Sequence, residues 1–241
     1  MLAVFASHSR LELPRCSAKR KAEASILPEE EEFVNEIFNR LYESLPKRQR
    51  SFVEEHIPGG GANGFAWADS LTTHLVHCGT LSVLFMGTLA NNPTDSEDGE
   101  YILNEYQDAC GCSAMELKEN YSLDVVVQLD GPFAFIIHDR SHGRVLAARD
   151  ADGAQPLYWA TCPRTGSLLF SSDKALFSYD CENIEEFPRG AVFISKDGSI
   201  EGTTATFGAK VLLHPELCRV ESANNIENLM RKTPSLNHIQ A

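Results

Sequence analysis

Residues Leu129–Tyr158, LDGPFAFIIHDRSHGRVLAARDADGAQPLY, constrain the fold of this chain more than any other stretch. Phe133–His138 and Val145–Arg149 are apolar runs of strand length, separated by a short polar turn. A link that short joins neighbouring strands only as an antiparallel hairpin. A glycine-bearing bend follows before Pro156–Thr161, which reads as a further strand.

The chain beyond this hairpin continues in the same manner. Leu168–Ser172 and Ala191–Ser195 are short strands bounded by Gly, Pro, Asp and Ser. The first half is different. Pro28 followed by Glu29, Glu30, Glu31 and Glu32 is a helix start, because proline fits the first turn and acids suit the positive end of the dipole. Phe33, Val34, Ile37, Phe38, Leu41 and Leu45 then recur at helical spacing, and Pro46 ends the run. Gly99–Ala109 predicts a second helix with Ile102, Leu103 and Tyr106 on one face. Ala114–Leu129 predicts a third, with Leu117, Tyr121, Val125 and Leu129 inward, although Val125–Val127 also suits a strand. Leu2–Phe5 is a short strand, and Leu71–Met86 reads as two strands turning at Cys78-Gly79. Ile57–Gly64, IPGGGANG, is a loop, and a loop insertion about 54–70 is expected. Asn224–Ala241 is polar and is expected to be a tail, which leaves 1–223 as one domain. Helices gathered early and strands gathered late give an α+β fold.

Composition excludes several function classes. A net charge of −13 repels phosphate backbones, so nucleic acid is not an expected partner. No apolar run is long enough to cross a bilayer, so no membrane partner is expected. Seven cysteines, an odd and scattered set without a signal peptide, point to free thiols in the cytoplasm. Lys19-Arg20-Lys21 leaves the nucleus open; Glu12 and Glu23 argue against plastid targeting by the basic stretch Arg10–Arg20.

Other constellations carry little chemistry. His74 and His77 on one strand face opposite sides and, with Cys78, lack a second ligand pair, so no metal is expected. Cys110-Gly111-Cys112 lacks redox spacing. Asp130, Asp139, Asp150 and Asp152 flank turns, where aspartate bonds local backbone. No cofactor is called for.

Four segments of the second half, in this order, resemble class II glutamine amidotransferase domains such as the glutaminase half of asparagine synthetases. They are LDGPFAFIIHD, ARDADGAQPLYW (Ala148–Trp159), LLFSSDKALF (Leu168–Phe177) and IEEFPRGAVFISKDG (Ile184–Gly198). The opening MLAVF, QRSF (Gln49–Phe52), LFMGTLANN (Leu84–Asn92) and the closing FGAK resemble a narrower group, the plant aluminium-induced or stem-specific proteins. Two features depart from that group: its Tyr-Gly-Leu and Leu-Arg-Asp-Arg segments are missing near Asn91–Glu119, and the insertion around Gly59–Gly64 is unusual. The resemblance implies a four-layer αββα sandwich of two mainly antiparallel sheets, of the N-terminal-nucleophile hydrolase kind.

It also implies what the site should contain. The family's nucleophile is an N-terminal cysteine whose own α-amine is the base. Here that place holds Leu2, which has no attacking atom. Cys16, the one early alternative, is followed by Ser-Ala-Lys-Arg-Lys rather than an apolar strand. The family's oxyanion asparagine is replaced by Met86, and losing one such donor typically costs about 2.7–4 kcal/mol of transition-state stabilisation. The substrate-binding set survives: Arg50 for the ligand carboxylate, Gly87 for its N–H, Asp98 for the ammonium and Gly99 for close approach. The same Asp98 also fits a plain helix start. These residues imply a degenerate, non-catalytic amidotransferase-like domain that holds glutamine or a related amino acid. An active amidohydrolase with another nucleophile and a purely structural interaction protein are the alternatives. A protein partner or a homodimer stays open, and ammonia made here would need a separate acceptor.

Overall fold

Alternation along the strands sets the architecture. The computed structural model describes residues 1–6, 28–45, 52–56, 63–68, 70–93, 96–110, 125–196 and 201–207. In chain order these form β1 (Leu2–Ala6), α1 (Pro28–Ser44), β2 (Phe52–His56), β3 (Gly64–Ala68), β4 (Thr73–Cys78), β5 (Leu81–Gly87) and α2 (Asp98–Cys110). There follow β6 (Phe133–Asp139), β7 (Arg144–Arg149), β8 (Tyr158–Cys162), β9 (Ser167–Ser171), a 3-10 turn (Lys174–Leu176), β10 (Glu182–Glu186), β11 (Ala191–Ser195) and β12 (Gly202–Thr206).

The strands make two six-stranded sheets, ordered β10-β8-β9-β1-β3-β2 and β12-β11-β7-β6-β5-β4. Every pairing among the named strands is antiparallel. Three apolar layers follow from the period of two. Met1, Ala3 and Phe5 of β1 meet Leu84 and Met86 of β5 between the sheets. Leu2 and Val4 face the other way, onto Phe33, Val34, Ile37, Phe38 and Leu41 of α1. Val83 and Phe85 likewise face outward, onto Ile102, Leu103 and Tyr106 of α2. Helix, sheet, sheet, helix is therefore the layer order, the αββα sandwich. Each fully buried Phe or Leu in these layers contributes about 1.5–3 kcal/mol.

The second-half motifs form a lock between the sheets. Arg149, at the end of β7, is buried and donates Nε–H to the Gln155 carbonyl (2.6 Å), Nη1–H to Glu186 Oε1 (2.7 Å) and the Phe187 carbonyl (2.9 Å), and Nη2–H to the Gly153 carbonyl (2.8 Å). Asp150 accepts from the N–H groups of Phe133 (3.3 Å), Ala154 (2.9 Å) and Gln155 (3.1 Å). The Arg-Asp pair thus ties β7 in one sheet to the approaches of β8 and β10 in the other. Asp139 acts similarly at the β6–β7 turn, accepting from Ser141, His142 and the Tyr106 hydroxyl. Burial pushes its pKa up, but those donors and the His142 charge outweigh it and leave Asp139 below the usual carboxylate range. The turn reading of Asp139 and Asp150 therefore describes their contacts.

Some expectations need correcting. The stretch about 54–70 is in part sheet, because β2 and β3 occupy Phe52–His56 and Gly64–Ala68 and pair in register. Beyond Ala191–Ser195 lies a further strand that the sequence reading did not give: β12 pairs along the whole of β11. β10 is an additional edge strand. Its sequence ENIEE shows no apolar alternation, and acids on an edge discourage pairing with another chain. Val125 and Val126 lie on a helical turn, not a strand. The rest of Ala114–Leu129 up to 124, residues 57–62 of the expected loop, Cys112 and the expected tail 224–241 lie outside the described residues.

Candidate functional site

The start of β1 presents Met1, not Leu2, to the space between the sheets. Leu2 is wholly buried under α1. Alternation within MLAVF already places residues 1, 3 and 5 on one face and 2 and 4 on the other, a signal that the reading of Leu2 as the vacant nucleophile passed over. The inward face of β1 therefore carries a thioether, a methyl and a phenyl group and no attacking atom. Among the described cysteines, Cys78 is exposed at the β4–β5 turn, and Cys162 and Cys181 lie in the layer beneath α1. Cys16 lies outside the described residues.

The Met1 α-amine is buried too. It donates to Ser172 Oγ at 3.0 Å, while the Ser172 N–H donates to the Met1 carbonyl at 3.0 Å. Burial lowers the amine from 8.0 to about 6, against the pull of Asp173 in the other direction. A base whose folded value lies below its unfolded value resists protonation in the fold. The penalty is absent above pH 8.0 and complete below about pH 6. A chain with this amine free should lose about 3 kcal/mol of stability from this group as pH falls through that window. Denaturant midpoints across the window check it against an Nα-acetylated chain, which should lack that share of the slope; equal slopes would discount the buried amine.

The end of β5 holds Met86 and Gly87. Met86 is buried in the inter-sheet layer. Gly87 has φ +126°, and its N–H donates to the Thr72 carbonyl at 2.7 Å. That donor is committed to backbone. The next residues are sewn to the Asp130–Pro132 turn, Thr88 N–H to the Pro132 carbonyl (2.9 Å) and Ala90 N–H to the Asp130 carbonyl (2.8 Å).

Asp98 opens α2 and ties this loop down. Its Oδ2 accepts from the Leu89 N–H at 2.9 Å, and its Oδ1 accepts from Asn92 Nδ2 at 3.0 Å. Gly99 donates its N–H to His74 Nε2 at 3.2 Å, and a Cβ there would come within 2.9 Å of that nitrogen. So Gly99 serves the close packing of α2 on β4. Sequence reading gave neither Asn92 nor His74 a part in this arrangement, since contacts across 6 and 25 positions leave no periodic trace. Arg50 lies outside the described residues. A cleft of about 650 Å³ opens here, lined by Ser70, Leu71, His74, Ser96, Glu97 and Asp98. Glu97 and Asp98 give it two carboxylates, beside the polar side chains of Ser70, His74 and Ser96.

His77 Nδ1 is 2.9 Å from Ser82 Oγ across the β4–β5 pair, and His74 is engaged with Gly99. Among the described residues no three His, Cys, Asp or Glu side chains converge as metal ligands. Among those residues, too, no helix is long and apolar enough to cross a membrane.

Residues 116–205 match the model of a family described as aluminium induced protein. Part of the chain is similar to part of several asparagine synthetases. It is 39% identical over 100 residues to the glutamine-hydrolyzing asparagine synthetase 2 of Oryza sativa subsp. japonica, over 40% of this chain and 16% of that protein. To asparagine synthetase 3 of Arabidopsis thaliana it is 32% identical over 124 residues, over 50% of this chain and 21% of that protein. The chain thus spans between 16% and 21% of the length of these curated relatives. Among solved structures, the glutamine phosphoribosylpyrophosphate amidotransferase of B. subtilis superposes with a TM-score of 0.46 at 16% identity, over 63% of this chain and 36% of that one. A glutamine aminotransferase class-II domain protein from Silicibacter pomeroyi gives 0.40 at 11% identity, over 57% of this chain and 72% of that one.

Proposed function

We propose, from residues 116–205 as a segment of the aluminium-induced protein family, that this chain is a non-catalytic amidotransferase-like domain which holds a glutamine-like amino acid without hydrolysing it. The observation that supports it most is the inward face of β1, where Met1, Ala3 and Phe5 supply no nucleophile. The neighbouring oxyanion position supports the same reading. Met86 donates nothing, and the Gly87 N–H is spent on Thr72.

Binding rests on the cleft at the start of α2. Asp98 accepts two hydrogen bonds, and a carboxylate has about four acceptor positions, so capacity for an ammonium group remains. Glu97 adds a second negative charge on the same wall. In this reading Arg50 supplies the opposite pole for the ligand carboxylate.

Two measurements test the reading. Incubation with glutamine should release no glutamate above buffer; steady release abolished by a single Cys→Ala substitution would establish the enzyme alternative. Calorimetry should detect heat with at least one of glutamine, glutamate or asparagine, and Arg50→Ala should weaken that binding about tenfold or more, since a charge-assisted contact contributes about 1.5–3 kcal/mol. A second reading, a scaffold that acts only through its surface, draws on Met1 and Met86 filling the inter-sheet layer. Silence with all three ligands would replace the first reading with this one.

A further inference from the structure

Cys162 ends β8, and Cys181 immediately precedes β10. These strands run antiparallel with Glu182 opposite Thr161. Continued by one residue past that pair, the same register sets Cys181 against Cys162. Both side chains point to the same face, the layer beneath α1, and both thiols are free. Directly opposed residues on antiparallel strands have Cα atoms about 4.5–5.5 Å apart. That falls inside the roughly 4.4–6.8 Å window of a disulfide.

We propose that Cys162 and Cys181 are a redox pair that closes into a cross-strand disulfide, with a low-molecular-weight disulfide as oxidant. Cys181 is entered first. It is 8% exposed and adjoins an edge strand, whereas Cys162 is 1% exposed. The Cys181 thiolate attacks one sulfur of oxidised glutathione, the S–S bond breaks, and one glutathione leaves as thiolate with the bonding pair. Cys162 then gives up its proton and attacks Sγ of Cys181, expelling the second glutathione. Two protein thiols are oxidised, and one glutathione disulfide is reduced to two thiols. Burial raises the Cys181 pKa, and the neighbouring Cys162 and Asp180 push it the same way against the Ser178 hydrogen bonds. The closure is therefore slow near neutrality and faster as pH rises.

The link needs the intact fold. Cys162 and Cys181 are separated in sequence by the turn after β8, all of β9 and the 3-10 turn, and only sheet pairing brings them together. Closing a loop of this size in the folded register should raise Tm by roughly 6–12 °C.

The test treats the full chain with oxidised glutathione and maps its disulfides without reduction. The expected product is a peptide pair joining Cys162 to Cys181, lighter by two hydrogens, together with the Tm rise. Exposed Cys78 should take up glutathione and so proves that the oxidant is active. Glutathione on Cys78 without a Cys162–Cys181 link, even at raised pH, overturns the proposal. A Tm rise that persists in Cys162→Ala overturns it equally, because the staple cannot form there.

Discussion

Gly87→Ala should fail to give a stable fold, with a loss of more than about 4 kcal/mol. Two costs coincide at this position. The backbone sits at φ +126°, where a side chain is strained. A Cβ would also lie 2.1 Å from the Pro132 carbonyl oxygen and 2.9 Å from the Phe133 Cα. Neither is a flexible side-chain end. The Pro132 carbonyl is held by the Thr88 N–H at 2.9 Å, so it cannot withdraw without breaking the loop. Gly79→Ala is the comparison. Gly79 has φ +62° but nothing within 4 Å of a Cβ, so only the left-handed strain of about 1–2 kcal/mol applies. Denaturant unfolding of both variants checks the difference; similar losses would mean that the Pro132 contact relaxes.

Arg149→Ala should cost about 3–5 kcal/mol. The guanidinium makes four hydrogen bonds, three of them to the carbonyls of Gly153, Gln155 and Phe187. Alanine leaves those acceptors without their donor beside a cavity. Arg149→Lys should recover little, because one ammonium cannot span the positions that the planar fork reaches. Glu186→Gln should cost less than about 1 kcal/mol, since the Glu186 side chain is 50% exposed and water screens its ion pair. If Arg149→Lys matched the parent midpoint, charge alone would explain the site and the fork geometry would be irrelevant.

The contrast between Arg149 and Asp98 shows how much of the site was legible. Ala148–Trp159 stood out in the sequence as a motif, and its prominence tempts a catalytic reading. Its residues instead satisfy buried carbonyls and turn N–H groups. Asp98 reads in the sequence either as a ligand clamp or as a plain helix start. The structure gives it two loop contacts while leaving it on a cleft wall. Gly87 was expected to lend its N–H to a ligand, but the Thr72 carbonyl takes it. That partner lies 15 residues upstream, where no local pattern signals the bond.

Strands were legible in the apolar runs of β5, β6 and β7, but β3, GFAWA, is equally apolar and was hidden by the glycine run before it. They were missed where the strand was acidic or small, as in β10 and β12. Such edge strands gain their order from one neighbour's ladder and carry little hydrophobic pattern of their own.

By itself the sequence determined the antiparallel hairpin at β6–β7, the inward faces of α1 and α2, and the absence of a nucleophilic side chain at the start of β1. Those follow from local period and residue chemistry, which a linear string carries in full. Tertiary structure alone decided which face of β1, that of Met1 or that of Leu2, turns to the inter-sheet layer, that the Gly87 N–H is already bonded, and that Cys162 and Cys181 share the layer beneath α1. Each depends on which strand lies beside which, and pairing between distant segments is set by the packing of whole layers.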